Sequence, residues 1–183
     1  MAAEEAAARF RIAPFDPACH ERSVFSCGVE RLDNYLQRTA KKHQSGDFAR
    51  VFVALVEEDP RVVGYYAINA HSIEAPDLPT ALVRNAPRHG GVPAAYLSMI
   101  AVDRRAQGQG LGRILLADAL KRLIPVSAEI GVAAVVLDVF EDDGAEAAAR
   151  RRAFYVGMGF RCFPSNPSRM FLMLKDIRAA FEA

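Results

Sequence analysis

Apolar positions along the chain fall into two kinds of run, and the spacing within each predicts the element. After a turn at residues 23–28, SVFSCG, the residues Val29, Leu32, Leu36 and Ala40, with Tyr35 alongside, recur at the spacing of one helical face. ARVFVALV at 49–56 and VVGYYAINA at 62–70 read as strands, and the Asp-Pro pair at 59–60 marks the turn of an antiparallel pair. AAYLSMIAV at 94–102 reads as a third strand. Leu116, Leu120 and Leu123, with Leu115 and Ile124 beside them, form a helical stripe behind the segment DRRAQGQGLGR at 103–113. VAAVVLDV at 132–139 is apolar on both faces, as a central strand must be. AAARRRAFYVGMGF predicts a helix ending at glycine, and MFLML at 170–174 a last strand. Residues 76–93, with four prolines and two adjacent glycines, predict a long loop. This order needs both hairpin and crossover connections, so the fold class is α/β, with a mixed central β-sheet flanked by helices.

Size and charge narrow the class without choosing a partner. The 183 residues suit a single domain over 11–183 behind an Ala-rich lead-in at 1–10. With 23 Lys+Arg against 22 Asp+Glu, bulk charge points to no polyanion, and any basic surface must come from local clustering. No apolar run is long enough to span a bilayer, so no membrane segment is expected. The opening MAAEEAAARF lacks the apolar stretch of a signal peptide. Cys19, Cys27 and Cys162 show no Cys-x-x-Cys spacing, which fits packed thiols in a reducing compartment and hence a cytoplasmic protein. His20, His43, His71 and His89 form no i, i+3 or i+4 pair, so they are expected at the surface or in loops, and no metal site is expected.

The glycine-rich segment carries the chemistry. Gly108, Gly110 and Gly112 lie between a strand and an amphipathic helix. Without Cβ atoms the chain can turn tightly and bring its amides close to a ligand. The first amides of a helix have no internal acceptor, so strand, glycine loop and helix together favour an anion, most often phosphate. Arg104, Arg105 and Arg113 add cations beside it. The nucleoside-triphosphate pattern fails because, counting from Gly108, position 113 is Arg and the Lys is missing, and the dinucleotide pattern fails for want of glycine at 113 or 115. Q-x-x-G-x-G fits across Gln107, Gly110 and Gly112. The same pattern with Arg first fits Arg105, Gly108 and Gly110, and the later register is preferred because Leu111 then joins the helical stripe.

AVDRRAQGQGLGRILL resembles the acetyl-CoA motif of the GCN5-related N-acetyltransferases, and FYVGMGF at 154–160 resembles their second hallmark. Phe25, Cys27 and Gly28, then Leu32, Asp33, Tyr35 and Leu36, followed by GYYAI at 64–68 and LSMIAVDRRAQGQGLG at 97–112, look like the acetyltransferase toxins of toxin–antitoxin pairs. The chain departs from that subgroup at Ser98 and Met99, and EDDGAEAAARRR is longer than usual before Phe-Tyr.

The resemblance implies an acetyl-CoA-dependent N-acetyltransferase, a toxin that acetylates the amino group of aminoacyl-tRNA, is silenced by a ribbon-helix-helix antitoxin and forms a homodimer. It implies that the pyrophosphate of the cosubstrate acetyl-CoA rests on the amides from Gln107 through Gly108, Gln109, Gly110, Leu111 and Gly112 to Arg113, with Arg105 beside them. The pantetheine arm then pairs with β-backbone at Ile100, Ala101 and Val102, and the Ile100 amide faces the thioester oxygen. Tyr155 is the implied general acid. A phenol near pKa ~10 is a weaker acid than a thiol near ~8.5, so complete transfer is uphill by about 2 kcal/mol and sharing of the proton is the expected form of help. No general base stands out: Glu141, Asp142 and Asp143 qualify by charge alone and suit a helix start better. An α-amine with pKa near 8 is partly neutral at physiological pH without a base. Arg38, Lys41, Lys42, Arg50, Arg84, Arg88 and Arg150 to Arg152 are candidate contacts for RNA phosphates, with solvated faces as the plainer reading. Two alternatives stay open: an acetyltransferase for a small-molecule or protein amine, and a coenzyme A-binding regulatory module without turnover.

Overall fold

The computed structural model describes residues 10–74, 82, 86, 91–141 and 143–182. Its elements are β1 (Phe10–Pro14), α1 (Glu30–Asn34), a π-helical turn (Tyr35–Thr39), α2 (Ala40–Ser45), β2 (Arg50–Val56), β3 (Gly64–Ile73) and β4 (Val92–Val102). A 3₁₀ turn (Arg104–Ala106) follows, then α3 (Leu111–Glu129), β5 (Ala134–Asp138), α4 (Ala145–Gly157), β6 (Arg161–Cys162), β7 (Arg169–Met173) and α5 (Leu174–Glu182). The strands make a mixed sheet in the order β1-β2-β3-β4-β5-β7-β6. β4 and β5 are parallel, with the crossover helix α3 between them in sequence, whereas β1–β2, β2–β3, β5–β7 and β6–β7 are antiparallel. The expected α/β class is therefore the observed one.

The chain divides into two compact units. One holds the described residues up to Asn69 with Leu97–Ala119, the other Ala70–Tyr96 with the described residues from Leu120 on. In the first unit the predicted stripe is the buried one: Val29, Leu32, Tyr35, Leu36 and Ala40 all lie within its core, as do Leu111, Leu115 and Leu116 of α3. Tyr65 ties the helical segment to β3. Its ring packs on Phe25 (5.4 Å) and Tyr35 (6.0 Å), and its hydroxyl donates to the Leu32 carbonyl at 2.7 Å. The helix is not regular: the Ala40 amide bonds the carbonyl of Tyr35, five residues back, which inserts the π turn. In the second unit β5 is buried along Ala134–Leu137, as a central strand must be, and its ladder with β4 runs from Ala94↔Ala134 to Tyr96↔Val136.

Three elements escape the periodicity argument. β6 is too short to show alternation, β1 begins at Phe10, inside the stretch read as an Ala-rich lead-in, and MFLML splits, the strand ending at Met173 and α5 starting at Leu174. The histidine expectation fails at His71, which lies within β3, and the cysteine expectation needs correction too. His20 does sit in a loop, though buried, with its Nδ1 accepting the Asp16 amide at 3.0 Å. Cys19 and Cys162 are exposed rather than packed, and all three thiols are free. Among the described residues no helix is long and apolar enough to cross a membrane. The expected lead-in up to residue 9, most of the 76–93 loop, Arg84, Arg88, His89 and Asp142 lie outside the described residues.

Candidate active site

Two stretches far apart in sequence meet in the first unit, and a buried carboxylate joins them. β4 ends at Val102, and the next side chain, Asp103, is only 2% exposed. Asp103 Oδ2 accepts the Ser26 amide at 3.0 Å and Arg105 Nη2 at 3.0 Å; Oδ1 accepts the Arg105 amide at 3.0 Å and Arg105 Nε at 2.7 Å. Burial by itself raises the pKa of this carboxyl, but the Arg105 guanidinium and the Arg105 and Ser26 amides outweigh it and hold the group below the usual carboxylate range. The Ser26 carbonyl takes the Arg104 amide at 2.9 Å, and Gln107 Nε2 donates to the carbonyls of Cys27 (2.9 Å) and Val102 (3.0 Å).

The Phe-Ser-Cys-Gly segment is itself held. Phe25 is buried in the core, while Asp33 in the first turn of α1 accepts the Cys27 amide at 2.7 Å and the Ser26 hydroxyl at 3.0 Å. Gly28 sits at φ +96°, and a Cβ there would lie 3.0 Å from the Arg104 guanidinium. Burial first, and the Asp33 carboxylate second, push the Cys27 thiol up to about 12, so it is no nucleophile near neutral pH.

The loop so clamped leads into α3. Gly108 and Gly110 lie at φ +75° and +80°, and a Cβ built on either meets nothing within 4 Å, so the backbone here borders open space. The Arg113 and Ile114 amides turn back to the Gly110 carbonyl, closing the first turn of α3. Leu111, 1% exposed, opens the buried stripe of α3, which favours the register starting at Gln107. Arg113 is exposed one turn along, whereas the Arg105 guanidinium is committed to Asp103. Ala101 is buried and Ile100 and Val102 are half-buried. A helix N-terminus whose glycines border open space is a setting that suits the phosphate end of coenzyme A.

The second unit holds Tyr155. The end of α4 fixes it: the Tyr155 carbonyl accepts the amides of Met158 and Phe160, both at 3.0 Å, while Gly159 turns the chain at φ +92°. Its ring touches Phe154 (5.3 Å) and Phe160 (5.9 Å), and burial pushes the phenol up to about 12. The acidic residues ahead of α4 are paired: Asp143 with Arg151, and Glu141 with Arg152 at 3.3 Å and the Ser168 hydroxyl at 2.5 Å. Neither side chain caps the helix, whose N-cap is Gly144; both are taken up by these pairs.

Residues 18–160 match the model of the acetyltransferase (GNAT) family. The chain belongs to that family. It is 44% identical over 177 residues, 97% of this chain and 98% of its relative, to a protein of Sinorhizobium fredii (strain NBRC 101917 / NGR234) named "Probable toxin TacT". It is 38% identical over 155 residues, 85% of this chain and 87% of the other, to a "tRNA-acetylating toxin" of Mycobacterium tuberculosis (strain ATCC 25618 / H37Rv). Among solved structures it superposes on AtaT complexed with acetyl-methionyl-tRNAfMet with a TM-score of 0.81 at 23% identity, covering 94% of this chain and 99% of that one. It superposes on AtaTR bound with acetyl-CoA with a TM-score of 0.79 at 24% identity, covering 95% and 99%. At those identities the likeness is one of fold. Periodicity and motif reading singled out the glycines, Gln107 and Tyr155, but not Ser26 or Asp103. The signal for Asp103 was a carboxylate placed where an apolar strand meets a cationic loop.

Proposed function

We propose that the protein transfers the acetyl group of acetyl-CoA to the amino group of an aminoacyl-tRNA, as a cytoplasmic toxin held in check by a ribbon-helix-helix antitoxin, and that residues 11–183 act as one domain in a homodimer. The observation that carries this reading is the Ser26–Asp103 clamp. It makes the Phe-Ser-Cys-Gly segment, which resembles the toxin subgroup, part of the same device as the phosphate-binding loop of the wider family. Identity of 38% to a tRNA-acetylating toxin supports the acceptor. A neighbouring structure of AtaT with the C-terminus of the antitoxin AtaR supports the partner.

In this reading the amides from Gln107 to Arg113 hold the diphosphate, and the backbone of Ile100, Ala101 and Val102, which lies beyond the last β4–β5 pair at Tyr96↔Val136, pairs with pantetheine. An Ile100 amide donating to the thioester oxygen stabilises the charge that forms there when the amine attacks. Tyr155 shares its proton with the departing sulfur. With the phenol at about 12 and a thiol near 8.5, complete transfer is uphill by about 5 kcal/mol, so Tyr155 acts as a hydrogen-bond donor and water completes the protonation. Arg38, Lys41 and Lys42 are exposed and suit RNA phosphates, whereas Arg50, though exposed, is paired with Asp47 at 2.8 Å, and Arg150, Arg151 and Arg152 are each paired with a carboxylate.

The test is incubation with labelled acetyl-CoA and bulk charged tRNA. The expected result is label in N-acetyl-aminoacyl residues released from tRNA by mild base, falling at least about a hundredfold in rate for Tyr155→Phe. Label on small amines or proteins but not on charged tRNA overturns the acceptor. Binding of acetyl-CoA without any transfer overturns the enzyme in favour of a regulatory module.

A further inference from the structure

In the second unit, one face of the sheet carries an apolar core that includes Ile73 of β3, Ala94 of β4, Val136 of β5 and Phe171 of β7. Two residues away along each strand, back along β3 and β7 and forward along β4 and β5, hence on the same face and toward one end, stand His71, Tyr96, Asp138 and Arg169. The core thus ends in a polar margin drawn from four strands. Asp138 lies opposite Arg169 in the β5–β7 ladder, and its two oxygens accept Arg169 Nε at 2.8 Å and Nη2 at 3.0 Å. The Tyr96 hydroxyl donates to Asp138 Oδ2 at 2.8 Å, and the His71 ring lies against the Tyr96 ring with centroids 5.2 Å apart. Asp138 and Arg169 keep 37% and 32% of their side-chain surface, so the margin is open to a ligand.

The four groups are not equivalent. Asp138 and Arg169 are committed to each other, and the Tyr96 proton to Asp138. The ring nitrogens of His71 make no hydrogen bond among the described residues, which leaves the imidazole as the group with a lone pair to offer. Tyr96 also sits at the last pair of the β4–β5 ladder, four residues before Ile100 on the same strand. Resting on the acetyl-transfer reading above, we propose that this margin is the acceptor-amine site, in which His71 takes the proton of the attacking nitrogen while the Tyr96–Asp138–Arg169 network holds its ring in place. As the nitrogen bonds to the carbonyl carbon it becomes cationic, and the C=O electron pair moves to oxygen. Its proton passes to imidazole, the C–S bond breaks with its electron pair leaving on sulfur, and C=O reforms. The imidazolium then returns its proton to water. A nitrogen in that state is far more acidic than a free ammonium, so a weak base suffices. The groups facing His71 agree: burial first and Arg169 next lower its pKa, Asp138 and Glu74 raise it, and the balance is below the ordinary value, so the imidazole is neutral at pH 7.

The experiment compares kcat, KM for acetyl-CoA and the pH profile of the full chain with those of His71→Ala, His71→Gln and Tyr96→Phe. Acceptors are bulk charged tRNA and a panel of small amines, with thermal melts to confirm folding. Expected are a loss of about a hundredfold in kcat for both His71 variants, with KM for acetyl-CoA within about threefold of wild type. Added imidazole should partly restore His71→Ala, and the acidic limb of the kcat profile should disappear in both. Tyr96→Phe should lose about tenfold and shift that limb. His71 variants that fold and keep kcat within about threefold, with the acidic limb intact, overturn the proposal. If wild type labels an amine of the panel and not charged tRNA, the tRNA reading falls and the His71 comparison is made on that amine. A wild type that labels nothing overturns both.

Discussion

The phosphate cradle of the first unit and the polar margin of the second are built on opposite plans. The cradle is made of backbone: its donors are amides, its shape comes from glycines at positive φ, and side chains such as Asp103 and Gln107 serve to hold main chain in place. The margin is made of side chains: regular strands supply the frame, and His71, Tyr96, Asp138 and Arg169 meet along one end of it. In the proposed reaction backbone donors would read what every substrate shares, a diphosphate, leaving side chains to read what differs, the acceptor. The carboxylates show the same contrast. Asp103 is sealed in and bonded to main-chain amides from both joined segments, so it is structural; Asp138 is half-open and bonded to side chains alone, so it is replaceable as far as folding goes.

Breaking the clamp should have the largest effect. Asp103→Ala leaves the half-buried Ser26 amide without an acceptor and the Arg105 guanidinium without its partner. It should cost about 3 kcal/mol in urea unfolding and weaken acetyl-CoA at least about tenfold by calorimetry. Gly110→Ala should come next. An alanine at φ +80° is strained by about 1–2 kcal/mol, and its Cβ stands where the diphosphate would approach, so acetyl-CoA binding should weaken about tenfold while the fold survives. Replacing the ion pair of the margin with apolar residues, Asp138→Leu with Arg169→Met, sharpens the comparison. Unfolding should stay within about 1 kcal/mol of wild type because desolvation offsets what the pair contributes, yet kcat should fall. A double variant destabilised as much as Asp103→Ala would erase the distinction drawn here.

The smallest effect is one of pH. Burial raises both carboxyls, but Arg105 with the Arg105 and Ser26 amides outweighs it at Asp103, and Arg169 with Tyr96 at Asp138, so both folded pKa values are depressed. A depressed folded pKa contributes stability that is complete above the unfolded value, near 4, and is lost as pH falls through the folded one. The urea midpoint should therefore be flat above about pH 5 and drop toward pH 3, and the drop should be shallower in Asp103→Asn.

The sequence by itself determined the α/β class, the two helical stripes, the central apolar strand and the glycine loop. Each of these is written in residues close to one another, as a period of 3.6 or 2 or as glycines at a strand–helix junction, so local sterics fix it before any long-range contact forms. The glycine-loop pattern also marked Gln107, whereas Tyr155 rests on the resemblance to the family's second hallmark. β6, of two residues, is too short to carry a period, and β1 begins at Phe10, inside the stretch read as an Ala-rich lead-in. Tertiary structure alone decided what those elements bring together. The Ser26–Asp103 bond spans 77 positions and the Gln107–Cys27 bond 80, and the margin gathers residues 71, 96, 138 and 169 from four strands. A histidine amid apolar neighbours reads as a lone residue along the chain. Only pairing of the strands places a tyrosine ring against it and an aspartate–arginine pair behind it.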